Sequence, residues 1–292
     1  MIRILLLDLG DTLAHDDSVF PHVPEALETL QSFKSADGKR LQLALVSDFL
    51  MPDPPVTPAK IDKLFQQYIQ ILKQLNLSEF FKPFKRHITL STNAGVNKPD
   101  RRIFELAIKR LGLDASLSDC LFITENAEHI AACQKLGMTT LRFGGDFNDW
   151  SQAPLLVNKL IDSETNFHSA LKLALSSEHE MELLSMEKKG AKVRARAQQW
   201  HSVPNPGKKE DVEVPIPVDV EIDLNKKGGI RSVKADQPDS EAVADAASFV
   251  ETLAANEQVT DKPGPLPPGA THRIETDEKG RKRLVRKRFS AI

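Results

Sequence analysis

Near its N-terminus the chain is apolar at four successive positions, Ile4, Leu5, Leu6 and Leu7, and then meets an acid, Asp8, followed by Gly10, Asp11 and Thr12. A run without alternation suits a strand covered on both faces, as in a parallel sheet between helix layers. Val23, Ala26, Leu27, Leu30 and Phe33 then recur at helical spacing behind Pro24, which predicts a helix as far as Ser35 and a turn at Ala36-Asp37-Gly38. Leu41, Leu43, Ala44, Leu45 and Val46 form a second buried run that ends at Ser47 and Asp48. The pattern is a βαβ unit in which both strands end in small polar or acidic residues on one sheet edge.

Met51–Leu77 breaks this rhythm. A proline-rich stretch, MPDPPVTPAK, precedes a helical pattern at Ile61, Leu64, Phe65, Tyr68, Ile69 and Leu72. It reads either as a surface excursion packed on the rim or as a lid leaving the end of the second strand. Further on, Lys98 precedes Pro99 in a loop, and Ile103, Phe104, Ala107, Ile108 and Leu111 define the next helix. Lysines are normally solvated, but Pro99 fixes this loop and Gly95 permits a close approach, so the Lys98 ammonium can be aimed at an anion. Leu121, Phe122 and Ile123 give another buried strand ending at Thr124 and Glu125; a helix follows, closed by Gly137, and Thr139–Phe143 gives one more strand. A helix around Leu155, Leu156, Val157 and Leu160 completes a core of residues 1–162.

Composition narrows the function classes. A length of 292 residues and a net charge of -2 give no global attraction to nucleic acid or membrane. The two cysteines, Cys120 and Cys133, fall inside apolar or helical patterns and read as reduced, buried thiols. With no signal peptide or long apolar span in view, the expected location is the cytoplasm.

A carboxylate at the carboxyl end of a parallel strand can serve as a nucleophile or a metal ligand; an ordinary turn rich in Asp and Gly is the alternative. Asp8 with Thr12, Ser47, Lys98 before Pro99, and an acid ending the CLFITE strand together resemble the four motifs of the haloacid dehalogenase-like (HAD) hydrolase superfamily. The resemblance covers roughly the first half of the chain. It implies an α/β fold, a Rossmann-like HAD core with a parallel sheet and helices on both faces, and chemistry through a covalent intermediate on Asp8. Carried over residue by residue, Asp8, Ser47 and Lys98 are the catalytic candidates, and Thr12, Ser47 and Asp48 the substrate-binding ones. Mg²⁺ would be held by Asp8, the Gly10 carbonyl and Glu125. The implied activity is that of a phosphatase on a small or macromolecular phosphorylated substrate.

Three positions depart from the family pattern. Gly10 stands where the phosphatases usually carry a second Asp as general acid and base, which implies slow turnover or a good leaving group. Asp11 either substitutes through water or caps the turn, and the sequence favours the cap. Glu125 replaces the more usual Asp. His129, beside Glu128, falls where a further acid is expected and reads as a neutral helix residue. These departures leave open a degraded relative that acts as a binding or regulatory module. A metal-independent haloacid dehalogenase is the third alternative, disfavoured because only the short excursion after Ser47 could serve as a cap.

The second half resembles no recognised family. Residues 163–201 are expected to be a helical extension, with a basic helix over AKVRARAQQW after Gly190, and 202–292 a small α+β module with a basic tail. Within it, VEVPIPVDVEIDL alternates as a strand, NKKGG turns the chain into IRSVKA, and Val243, Ala246, Ala247, Val250 and Leu253 mark a helix capped near Asp239 or Ser240. The tail residues Arg281, Lys282, Arg283, Arg286, Lys287 and Arg288 read either as contacts for nucleic acid or an acidic partner, or as a charged edge hairpin facing Glu275, Asp277 and Glu278.

Overall fold

A computed structural model describes residues 1–287, so Arg288 of the basic tail lies outside the described residues. The chain divides into two units: Met1–Ala174 with Lys227–Gly229, and Leu175–Lys226 with the chain from Ile230 onward.

The first unit opens with β1 (Ile4–Leu7), a short hairpin of β2 (Ala14–His15) and β3 (Ser18–Val19), α1 (Val23–Ser32) and β4 (Gln42–Ser47). Then come α2 (Pro58–Gln74), α3 (Phe84–His87), β5 (Ile88–Leu90), α4 (Ser91–Ala94), α5 (Arg101–Leu111), β6 (Cys120–Thr124), α6 (Ala127–Lys135), β7 (Thr139–Arg142) and α7 (Ala153–Ile161). Five strands form one parallel sheet in the order β5-β4-β1-β6-β7. β1 is central because all four of its residues are fully buried. Each such side chain stabilises the fold by about 1.5–3 kcal/mol through burial. Ile4 and Leu6 pack with Ala44, Val46 and Phe122 against Ile103, Phe104 and Leu111 of α5. Leu5 and Leu7 alternate to the opposite face, and α1 packs on β4 and α7. With β1 and β4 in register from Ile4↔Gln42, and β1 and β6 from Ile4↔Cys120, the strands run out at one edge, at Asp8, Ser47 and Glu125. Cys120 and Cys133 are buried free thiols.

The helix α8 (Glu164–His179) carries the chain into the second unit, where the expected helical extension gives way to strands. There follow β8 (Glu182–Lys189), β9 (Lys192–Val203), β10 (Val212–Leu224), β11 (Ile230–Ala235), α9 (Ser240–Ala255), β12 (Val259–Thr260), β13 (His272–Thr276) and β14 (Lys282–Arg286). The stretch expected as a basic helix is β9. Val193, Ala195 and Ala197 are buried while Lys192, Arg194 and Arg196 between them are exposed, a period of two. Gly190, at φ 65°, turns β8 into β9, and β9 pairs antiparallel with β10 along Lys192–Val203. The alternating VEVPIPVDVEIDL stretch is β10, its hairpin partner is β11, and α9 is capped by Asp239, whose side chain accepts from Glu241 N. Val214 and Ile216 of β10 meet Val250 and Leu253 of α9.

One side of β10 is paired throughout with β9, whereas on the other side β14 joins at Glu213 and β11 from Val220. Asp236 N donates to Asp219 O at 2.9 Å, so the odd-numbered residues of β10 turn their backbone groups toward that second side. Pro215 and Pro217 occupy the interval between its partners, and neither has an N–H to present there.

The tail strand β14 pairs antiparallel with β13, and Arg281, Lys282, Arg283 and Lys287 are matched by acids within the unit. Arg283 pairs with Glu213 at 3.0 Å and Glu180 at 2.8 Å, Arg281 with Asp277 at 2.8 Å, and Lys287 with Glu275 at 2.5 Å. No helix among the described residues is long and apolar enough to cross a membrane.

Candidate active site

Asp8 follows directly on β1, and its carboxylate is enclosed by the neighbouring backbone N–H and by donors from three other parts of the chain. Leu9 N donates to Oδ1 at 2.9 Å, and Ser47 Oγ, ending β4, approaches the same oxygen at 3.5 Å. Oδ2 accepts from Thr124 Oγ1 at 3.1 Å and is ion-paired with Lys98 Nζ. Lys98 is 7% exposed and Asp8 6%, so the lysine is part of the interior and is not a solvated surface charge. Burial holds the Asp8 carboxyl above the ordinary carboxylate range against the pull of Lys98, and the charge of Glu125 pushes the same way.

The Lys98 loop is aimed by Asp48, whose Oδ1 accepts from Lys98 N at 2.8 Å. Gly95, at φ 69°, closes α4 just before it in a left-handed conformation that glycine adopts freely. Asp48 thus acts on the loop backbone, while Lys98 reaches Asp8 with its side chain.

Thr12 and Glu125 hold one another. Thr12 Oγ1 donates to Glu125 Oε2 at 2.5 Å and accepts from Glu125 N at 3.1 Å. Both capacities of the Thr12 hydroxyl are therefore directed at Glu125, and Thr12 is fully buried. Trp150, also fully buried, fixes this turn by donating Nε1–H to the Thr12 carbonyl at 2.8 Å. Thr124 Oγ1 lies 3.1 Å from both Asp8 Oδ2 and Glu125 Oε2, so two carboxylates converge on a hydroxyl with one hydrogen to give.

Such a pair of hard oxygen donors fits Mg²⁺, which proteins bind through one or two carboxylates while it keeps several waters. Among the described residues no group of three His, Cys, Asp or Glu side chains gathers to hold a metal, so the Gly10 carbonyl and water would complete any such shell. Gly10 lies in the turn bridged to Ala14, its φ is not positive, and a Cβ added there would meet nothing within 4 Å. Asp11 turns its carboxylate to His15 Nδ1, at 2.5 Å, on the exposed β2–β3 hairpin.

His129 lies in the first turn of α6, where Asn126 caps its backbone N–H at 3.1 Å. Its Nδ1 is enclosed without a hydrogen-bond partner, and burial, assisted by the Lys98 charge, lowers its basicity.

Two contributors stand outside the sequence motifs. Trp150 is one, and Tyr68 of α2 is the other, with its hydroxyl 2.7 Å from Ser47 Oγ. Both were legible only as apolar positions.

No family model and no curated protein matches the chain. Solved structures do. The L-2-haloacid dehalogenase from Xanthobacter autotrophicus is 13% identical over 59% of this chain and 88% of its own, with a TM-score of 0.35. An uncharacterized protein from Corynebacterium glutamicum is 17% identical over 56% of this chain and 98% of its own, with a TM-score of 0.34. The HAD-hydrolase YfnB from Bacillus subtilis, described bound to magnesium, is 20% identical over 45% of this chain, with a TM-score of 0.32; the match spans 47% of YfnB.

Proposed function

We propose, from the premise that the first unit is a HAD-like core, that this chain is a Mg²⁺-dependent phosphate monoester hydrolase in which Asp8 is the nucleophile. The observation that carries this reading is the enclosed Asp8–Lys98 pair at the end of the central strand, with Ser47 beside it. A carboxylate oxygen of Asp8 attacks phosphorus, the P–O bond to the leaving alcohol breaks, and the resulting aspartyl phosphate is hydrolysed by water. Lys98 neutralises charge on the nucleophile and on the transferring group, and Ser47 donates a hydrogen bond to a phosphoryl oxygen.

Asp8, Glu125 and the Gly10 carbonyl would hold Mg²⁺, which when bound shields the charge of the phosphoryl group. Thr12 keeps Glu125 turned to the metal position, and Asp48 keeps the Lys98 loop in place. Because Gly10 offers no proton, the leaving group must depart largely unassisted. Substrates with acidic leaving groups are therefore turned over faster than alkyl phosphates.

Gly10 also supports a second reading, a HAD-like module that binds a phosphorylated partner without turning it over. Hydrolysis of p-nitrophenyl phosphate, measured with and without Mg²⁺ in the wild type and in Asp8→Asn, separates the two. Metal-dependent turnover that vanishes in Asp8→Asn is expected. Turnover that is independent of metal, or that survives in Asp8→Asn, overturns the hydrolase assignment, and a silent wild type favours the binding module.

A further inference from the structure

The excursion between β4 and β5 has its own connection to the site. α2 buries Phe65, Tyr68, Ile69 and Leu72, an apolar stripe at helical spacing, and Tyr68 is the only tyrosine of the chain. A phenylalanine would fill that position equally well as packing. The hydroxyl is what distinguishes this residue, and its hydrogen-bond partner is Ser47 Oγ at 2.7 Å in a buried setting. Phe49 packs edge-on against the Tyr68 ring, with centroids 5.3 Å apart, and fixes its orientation.

The direction of that bond decides what Ser47 can do. A serine hydroxyl has one hydrogen, and if it were given to Tyr68 none would remain for a bound anion. A phenol is the stronger acid of the two and hence the better donor. Burial and the charge of Asp8 raise the Tyr68 pKa further, so it keeps its proton at every working pH. The Tyr68 hydrogen therefore occupies a lone pair of Ser47 Oγ, and the Ser47 hydrogen is turned elsewhere. Its neighbour on the other side is Asp8 Oδ1 at 3.5 Å, a long contact to an oxygen already served by Leu9 N at 2.9 Å. The Ser47 hydrogen is thus oriented toward the nucleophile yet only weakly engaged.

We propose that Tyr68 is a positioning residue that sets the Ser47 hydroxyl to donate into the oxyanion bound at Asp8. The inference rests on the phosphoryl-transfer reading of the site. It makes α2 a support of the catalytic edge as well as a cover for the rim, with its effect exerted through Ser47 and not by contact with substrate.

The test is a double-mutant cycle on the full chain with Tyr68→Phe, Ser47→Ala and the pair, following p-nitrophenyl phosphate turnover with Mg²⁺ and inorganic phosphate binding by calorimetry. Thermal melts check that each variant is folded. Tyr68→Phe is expected to lose about tenfold in kcat/KM, mainly in kcat, because the oriented hydrogen matters most where charge develops. In the Ser47→Ala background the same change should have no further effect. Wild-type kinetics in Tyr68→Phe, or a loss that multiplies in full on top of Ser47→Ala, overturns the proposal. If the wild type is silent but binds phosphate, weaker binding by Tyr68→Phe upholds the positioning role while the hydrolase assignment falls, and equal binding overturns the role. A wild type that neither turns over nor binds phosphate overturns both.

Discussion

The Lys98 ammonium is ion-paired with the Asp8 carboxylate where their side chains are 2% and 9% exposed. An ion pair so enclosed is costly to break from one side, because the remaining charge is left without water or a partner. Lys98→Met is expected to destabilise the fold by about 3–5 kcal/mol and to remove turnover, with much of the stability returning in the Asp8→Asn/Lys98→Met pair. Urea unfolding of the single and double variants measures this. Equal midpoints for the wild type and Lys98→Met would show that solvent reaches the pair.

Position 10 makes a prediction of the opposite sign. Its backbone is not in the left-handed region and its Cβ direction is open, so the fold does not require glycine there. Gly10→Asp should leave stability nearly unchanged and raise turnover of alkyl phosphates by up to about 10²- to 10⁴-fold, the usual range for a general acid. p-Nitrophenyl phosphate should gain far less. The ratio of the two rates is the measurement, and an unchanged ratio would rule out a proton-transfer role at this position.

Trp150 ties the turn that carries Thr12, and through it Glu125, to the base of α7. Trp150→Phe keeps most of the ring contacts with Phe143 and Phe147 but leaves the buried Thr12 carbonyl without its donor. The expected cost is about 1–3 kcal/mol in stability. If Glu125 holds the metal, the apparent Mg²⁺ affinity should fall as well. Chemical denaturation and a Mg²⁺ titration of activity report the two effects separately.

In the second unit Glu180 accepts from Lys279, Arg281 and Arg283, and these bonds hold its carboxyl down at about 2. The unfolded chain, in which a glutamate titrates near 4.5, takes up the proton first. The stabilisation is therefore present above that pH and disappears as pH falls toward about 2. Glu180→Gln should flatten the acid-unfolding curve between those values. Because the side chain is one-third exposed, screening by salt should reduce the difference.

Much of the first unit was legible because its strands announce themselves as uninterrupted apolar runs, and because Asp8, Ser47 and Glu125 mark where those runs stop. Tyr68 and Trp150 were not, since a residue that fills a core position and also makes one polar contact has the periodicity of any core residue. The misreading of 182–201 as helix has a different cause. Ala, Arg, Gln, Glu, Leu and Met favour helix locally, while the alternation of Val193, Ala195 and Ala197 with charged neighbours favours a strand. Pairing with β8 and β10 decided it, an outcome set by partners distant in sequence. Glu180, at φ 54°, ends the preceding helical pattern without the glycine that would have signalled the break.

The two prolines of β10 have a consequence for how molecules of this protein meet one another. In an exposed interval of strand, every N–H is an invitation to a neighbouring chain, and the usual outcome of accepting it is a continuous intermolecular sheet. On this side of β10 the donors are missing at Pro215 and Pro217, so any strand that lies there, β14 included, finds oxygens to bond but no hydrogens at these two positions. A regular ladder is interrupted at both. How far this side of β10 can template a regular sheet is thereby limited by two prolines within the strand itself.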